Sequence, residues 1–356
     1  MKTKNMYWSI IRGICILAVV GIHLTVPYDT EGSVRLSWFL SRRLIAFPVG
    51  LFFFMAGYFV HIDLMREKRY IWKKIQRVLV PYLIFSTLYI LQNLFVYDIN
   101  WKGIMANYIF GTAEIQLYFC IYLLQMILML PLLKKLLIDS DKRNVTLILI
   151  LVVSEFWSMI RSQSDYLPIL PQEFNVFCFS FLIYYALGIY VRGYKEGIYD
   201  SQMIHWILNK KTSYIILFAF LGLMISCIEA WLISEVGAIG QCTIGNYVYI
   251  GSLITLVICS SKKYDNSSIQ KNWRILIWLG ENSFDIYLIH MFLLRLYINM
   301  LDNATMYYPA RQIVEFGGTL LGSCLIISLK NLFMTIYSKR HKDRSIYNNG
   351  RRTVSK

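Results

Sequence analysis

Arg12 and His23 stand eleven residues apart on one apolar stretch, residues 7–27, near the start of a 356-residue chain. An arginine supplies a permanent cation whose planar fork of donors matches carboxylate or phosphate. A histidine can take up and release a proton near neutral pH. Inside an apolar stretch of bilayer length both are costly, and such residues mark a functional site by default. At about 100° per residue, eleven residues make three turns and roughly 20°, so both side chains leave nearly the same helix face, about 16 Å apart along the axis. One helix thus offers an anion-binding group at one depth and a proton-transfer group at another. Taken singly, the arginine could merely snorkel and the histidine could bond a neighbouring helix. Together on one face they point to a site.

Four further sets carry chemistry. Lys74 and Arg77 follow the run REKRY and share a helix face at spacing i, i+3. They can add to a phosphate site beneath Arg12, whereas Arg66, Lys68 and Arg69 read as ordinary loop charge. Arg42 and Arg43 lie several residues inside a second apolar stretch, ahead of FFFMAG at 52–57, whose small terminal pair suggests close packing near a cavity. They can receive an anionic acceptor or pair with Glu155 or Glu114. Glu155 interrupts the apolar run VVSEFW and needs a partner. Finally, Glu281, Asn282, Ser283, Asp285, Tyr287 and His290 punctuate the stretch 277–295. That is too many polar groups for a lipid-facing helix, and Gly280 with Asn282 and Ser283 can mark a break in it. The plainer reading is an interior network that packs helices, with His290 a hydrogen-bonding residue rather than a second base.

The elements that must hold these residues are membrane spans. The chain is 57% hydrophobic and only 16% charged, and its mean hydropathy is +0.49; a polytopic membrane protein has this composition and a soluble domain of this size does not. Apolar stretches at 7–27, 36–60, 76–97, 114–133, 145–160, 174–192, 212–233, 242–260, 275–298 and 312–337 predict about ten transmembrane helices. The first is expected to be retained as a span rather than cleaved as a signal peptide. Pro81 predicts a kink in the third. The predicted fold is therefore an all-α integral membrane protein, with one transmembrane domain over 1–337 and a basic tail over 338–356.

The net charge of +15 is distributed unevenly. With a cytoplasmic N-terminus, the inner segments hold 26 of the 36 lysines and arginines and the outer loops hold 4. This bias places both termini inside. It also accounts for the basic balance without nucleic acid, and the tail reads as an anchor near anionic lipid. Arg12 then lies toward the cytoplasm and His23 toward the outer face. The seven cysteines include no CxxC pair and read as small buried hydrophobes. No HExxH, P-loop or GxSxG element is present, so metal, nucleotide-hydrolysis and serine-hydrolase readings have no support. The Arg12–His23 spacing suits a thin donor with an anionic nucleotide end, such as an acyl-coenzyme A: the cation holds phosphate, and the histidine near the thioester acts as base.

At this point the chain resembles the membrane-bound acyltransferase-3 family of bacterial surface-polysaccharide O-acyltransferases. Arg12 and His23 match its R-x10-H signature. FFFMAGYF at 52–59 is similar to its FF-x-x-SGF segment, and Lys74 with Arg77 falls on its R-x-x-R. LYFCIYLL at 117–124, YYALGIYVRG at 184–193 and SFDIYLIH at 283–290 resemble three further segments in the family's order. Ser9 stands where many members carry Asp, and Lys74 keeps the charge of the first Arg of R-x-x-R without its bidentate geometry.

The resemblance implies transfer of an acyl group, most often acetyl, from cytoplasmic acetyl-coenzyme A to a hydroxyl of a surface glycan or its lipid-linked precursor in the bacterial cell membrane. It implies His23 as catalytic base or acyl carrier, and Arg12, Lys74 and Arg77 on the donor side. Arg42, Arg43, Glu155, Asn282, Ser283, Tyr287 and His290 are the candidates for contact with substrate. No bound cofactor is expected, the acyl-coenzyme A being a co-substrate. A transporter or flippase of a lipid-linked glycan is the competing reading, since intramembrane cations would serve it too.

Overall fold

The computed structural model describes residues 6–24, 40–95, 99–163, 176–234, 243–261, 273–301 and 307–354, and among these every regular element is helical. The predicted outer loop 28–35, all but the first residue of 234–241, and most of 161–173 lie outside the described residues.

The chain runs through α1 (Met6–Ile22), α2 (Pro48–Tyr58), α3 (Lys68–Leu94), α4 (Trp101–Phe110), α5 (Tyr118–Leu128), α6 (Arg143–Gln163), α7 (Phe179–Lys195), α8 (Gln202–Leu208), α9 (Thr212–Ser234), α10 (Ile244–Ser261), α11 (Arg274–Glu281), α12 (Ser283–Leu301) and α13 (Tyr308–Val354). By length and hydropathy seven helices can cross a bilayer, or eight if the bent pair Trp101–Phe110 and Ile115–Leu128 is one span. The prediction of ten counted more, for identifiable reasons. α1 and α7 are only 17 residues each. The stretch 275–298 still supplies one of the seven, Ser283–Leu301, with a short helix before it across a break at Asn282, whose N–H bonds Trp278 O at 3.1 Å. α4 forms inside what reads as the loop 98–113: the Asn100 side chain caps it by accepting from Gly103 N–H at 2.9 Å, and Gly111 ends it at φ 70°. The pair turns by 47° there. Pro81 sits inside α3, which runs on through it as one helix.

Two close crossings build the interior. α1 packs on α11 where Gly13 meets the Leu276 carbonyl and Gly280 meets the Ser9 carbonyl; a Cβ at either glycine would collide with backbone. α2 packs on α7 in the same way, with Gly57 against the Tyr185 carbonyl and Gly188 against the Phe54 carbonyl. Small residues that let backbones approach are the usual device for joining helices in lipid. Around this centre, Trp8, Phe53, Phe54, Tyr58, Leu117, Tyr185 and Ile286 form a buried core.

α6, α9 and α13 touch it along one side, through Leu147, Ala219 and Ile327. Ile148, Val152, Phe156, Phe218, Leu221, Ile228, Leu325 and Phe333 stay exposed on them. Apolar faces of that extent fit a hydrocarbon environment. None of the six described cysteines forms a disulfide among the described residues, and three of them are buried, as small hydrophobes would be; Cys242 lies outside the described residues.

Candidate active site

α1 sets the frame. Its buried side carries Cys15, Ile16, Val19 and Val20; Arg12 precedes them within the helix, and His23 follows in the turn just past its end at Ile22. α12 runs alongside and shows Ser283, Tyr287 and His290 at spacing i, i+4, i+7, which is one helix face. The two faces meet at two depths.

At the first depth is a cavity of about 290 Å³. Arg12, Lys74 and Arg77 all line it, with Ser283 and Tyr287 from α12 and with Phe52, Phe59, Phe119 and Tyr185 as ring walls. None of the three cations makes an ion pair among the described residues. Arg12 lies over the Phe59 ring at 5.0 Å and Lys74 over the Tyr70 ring at 5.3 Å, cation–π contacts that leave donors free. Glu281 is the acidic group that acts on Arg12, without a salt bridge between them. α12 begins at Ser283, so the positive end of a 19-residue helix also opens here.

At the second depth His23 faces His290, ring centroids 5.4 Å apart. His290 is fully buried. Its Nδ1 lies 2.7 Å from the Tyr287 carbonyl; a carbonyl only accepts, so Nδ1 carries the hydrogen. In the neutral ring Nε2 is then a lone pair, and it has no partner among the described residues. The plainer reading of His290, a satisfied helix-packing group, accounts for one nitrogen and not the other.

Residues that sequence reasoning did not single out hold this arrangement. The Tyr89 hydroxyl donates to Leu288 O at 2.8 Å and accepts from Phe292 N–H at 3.1 Å, so it sits in one step of the α12 hydrogen-bond ladder. Gln116 Nε2 donates to the same hydroxyl at 2.9 Å, and the Tyr287 hydroxyl donates to Gln116 O. A side chain inserted in a ladder fixes the local course of a helix, here within two residues of His290. The available signal was a tyrosine and a glutamine within apolar stretches, each needing a partner.

The outer-end candidates separate. Arg42 lines a larger cavity of about 720 Å³, walled by Leu17, Gly21, Ile45, Phe47 and Phe316, and its charge reaches His23. Arg43 is buried at 7% exposure and does not line that cavity; Glu229 is the acid that acts on it. Neither arginine forms an ion pair with Glu155 or Glu114 among the described residues. Glu155 lies near Glu229 instead, with Oε2 unpartnered, and Glu114 is bound by Arg295 at 2.6 Å. The expected pairing fails because the bend after α4 carries Glu114 to α12. Asn282 bonds Trp278 O at 2.8 Å and accepts from Asn331 Nδ2 at 3.0 Å. Its side chain secures the helix break to α13 rather than lining either cavity. No group of three or more metal-ligating side chains occurs among the described residues.

A model of the acyltransferase domain matches residues 5–328, nearly the whole chain. The protein belongs to the acyltransferase-3 family. No curated protein and no solved structure matches it. It is thus an acyltransferase with an all-helical, multi-pass membrane architecture. In this acyltransferase the matched region contains both cavities and both histidines.

Proposed function

We propose that this acyltransferase moves an acyl group, most simply acetyl, from a cytoplasmic acyl-coenzyme A to a hydroxyl of a surface glycan or its lipid-linked precursor. The observation that carries the reading is the convergence of Arg12, Lys74 and Arg77 on one cavity without ion pairs among the described residues, with His23, just past the end of α1, facing His290 of α12. The 26-to-4 distribution of lysine and arginine supports a cytoplasmic address for that cavity, with both termini and the basic residues 338–356. The membrane is then the bacterial cell membrane.

In this reading the cations hold the coenzyme's phosphates, with Arg12 and Arg77 able to do so bidentately. The pantetheine arm runs up the interior between α1 and α12, and its thioester arrives between the two imidazoles. The acceptor comes from the opposite end, where the cavity beside Arg42 lies. His23 removes the proton of the acceptor hydroxyl as that oxygen attacks the thioester carbonyl. Alternatively it takes the acyl group first and passes it on. Coenzyme A leaves as the thiol in both cases. The neutral His290 Nε2 can only accept a hydrogen bond, which suits it to orient the acceptor hydroxyl or the His23 N–H. Arg43, Glu155 and Asn282 support the frame.

The test uses the purified chain in lipid bilayer discs with labelled acetyl-coenzyme A. Wild-type protein should bind the donor and hydrolyse or transfer its acetyl group, and His23→Ala should bind it without turnover. Glycan acetylation at the normal level in cells carrying His23→Ala would rule the mechanism out.

A further inference from the structure

Among the described residues Tyr185 is the one tyrosine whose buried hydroxyl has no hydrogen-bond partner. The other large buried tyrosines show what is normal in this protein. Tyr82 donates to Tyr108 O at 2.8 Å, Tyr89 to Leu288 O at 2.8 Å, and Tyr190 bonds Ser201 at 2.8 Å. Tyr185 is only 1% exposed, so water does not serve it from the surface. A buried polar atom left alone calls for a reason. The reason is its address, since Tyr185 lines the cavity of Arg12, Lys74 and Arg77. Its backbone is pinned by the Gly57 crossing, so the ring cannot be withdrawn cheaply. The neighbouring Tyr70 does not relieve it, because the Tyr70 hydroxyl accepts from His61 N–H at 2.9 Å and makes no bond to Tyr185.

We propose that Tyr185 is a ligand-binding residue of this cavity, whose hydroxyl donates to an oxygen of the phosphopantetheine part of the donor. The inference rests on the donor reading above and extends it to a residue outside the charged set. The charges of the three cations suit an acceptor-rich anion, and a neutral phenol adds a directed bond without further like-charge repulsion. Placement in the cationic cavity, rather than beside His23, assigns the bond to the coenzyme and not to the transferred acyl group.

The substitution Tyr185→Phe separates this role from a structural one by sign. With no partner to lose inside the protein, the unliganded Y185F protein should keep or exceed the wild-type thermal midpoint. Its affinity for free coenzyme A should fall about tenfold, the usual loss for a hydrogen bond to a charged ligand. The measurement is titration calorimetry with coenzyme A on full-length protein in lipid discs, beside a melting curve. Unchanged affinity in Y185F with normal binding by wild type would overturn the role of Tyr185 and leave the donor reading standing. A lowered midpoint would overturn it too, by showing that the hydroxyl has a structural partner. Failure of wild type to bind coenzyme A would remove the donor reading and this inference together.

Discussion

Arg295 and Arg12 are the same residue type in helices that pack on one another, and they are treated oppositely. Arg295 forms an ion pair with Glu114 at 2.6 Å and donates to Asn93 at 2.8 Å, and Asn93 in turn donates to Ala113 O at 2.9 Å. Together these contacts tie α3, the bend before α5 and α12 into one block. Arg12 has an aromatic face at 5.0 Å and a share of a cavity. The lesson is that a cation in the membrane interior does not by itself mark a site. What marks it is the partner it lacks. A charge paired within the fold is scaffold, and one left to face a cavity is set aside for a ligand.

That contrast can be broken by experiments that should move one property and not the other. The largest effect belongs to the reacting end. His23→Ala should lower acyl transfer by about 10²–10⁴-fold, the usual contribution of a positioned base, with the melting midpoint near that of wild type. Next comes the scaffold cluster. Arg295→Ala leaves Glu114, whose side chain is 3% exposed, without its cation. It should cost about 3 kcal/mol of stability, seen as a lower midpoint in detergent, while the KM for acyl-coenzyme A changes by about twofold at most. A rise in KM comparable to that of Arg12→Ala would erase the distinction. Arg12→Ala itself should raise the KM for the donor by roughly 10–100-fold, equivalent to one or two charge-assisted hydrogen bonds, with little loss of stability. Stepping down again, Tyr89→Phe should lower kcat by about tenfold or less, through loss of the hydroxyl's bonds to Leu288 O, Phe292 N–H and Gln116 Nε2 beside His290; an unchanged kcat would show that His290 needs no such support.

Much of this was legible before the fold was known, and the rest was not, for physical reasons. Local periodicity put Lys74 beside Arg77 and a break near Gly280 and Asn282, because each depends only on neighbours within a few turns, whereas His23, expected on the helix face of Arg12, falls in the turn one residue beyond α1. The FFFMAG segment announced its close crossing through its small residues. Pairings set by tertiary geometry were hidden. Glu114 reaches Arg295 rather than Arg42 or Arg43 because of a 47° bend that hydropathy does not register. Tyr89 enters the ladder of α12 from a residue 199 positions away. The free nitrogen of His290 follows from which carbonyl its other nitrogen meets. Tyr185 is informative only through a missing partner, and absence of a bond has no trace in a sequence.

The smallest effect concerns Lys74, and it tests the contrast most finely. A lysine is a point charge with rotatable donors, whereas an arginine offers a fixed fork to a phosphate. Lys74 lies over the Tyr70 ring at 5.3 Å and shares its cavity with Arg12 and Arg77. If these cations are reserved for a phosphorylated ligand, Lys74→Arg keeps the charge and adds geometry. The KM for acyl-coenzyme A should stay level or fall about two- to threefold, a fraction of one hydrogen bond. Lys74→Gln removes the charge and should raise it several-fold, with a dependence on salt weaker than that of wild type because one fewer cation contributes. A scaffold lysine would behave otherwise. With no carboxylate paired to it among the described residues, its loss would leave donor affinity and salt dependence alone and register, if at all, in the melting curve. Equal KM values for the Arg and Gln variants, with a shifted midpoint, would therefore move Lys74 out of the cavity's working set and into the class of Arg295.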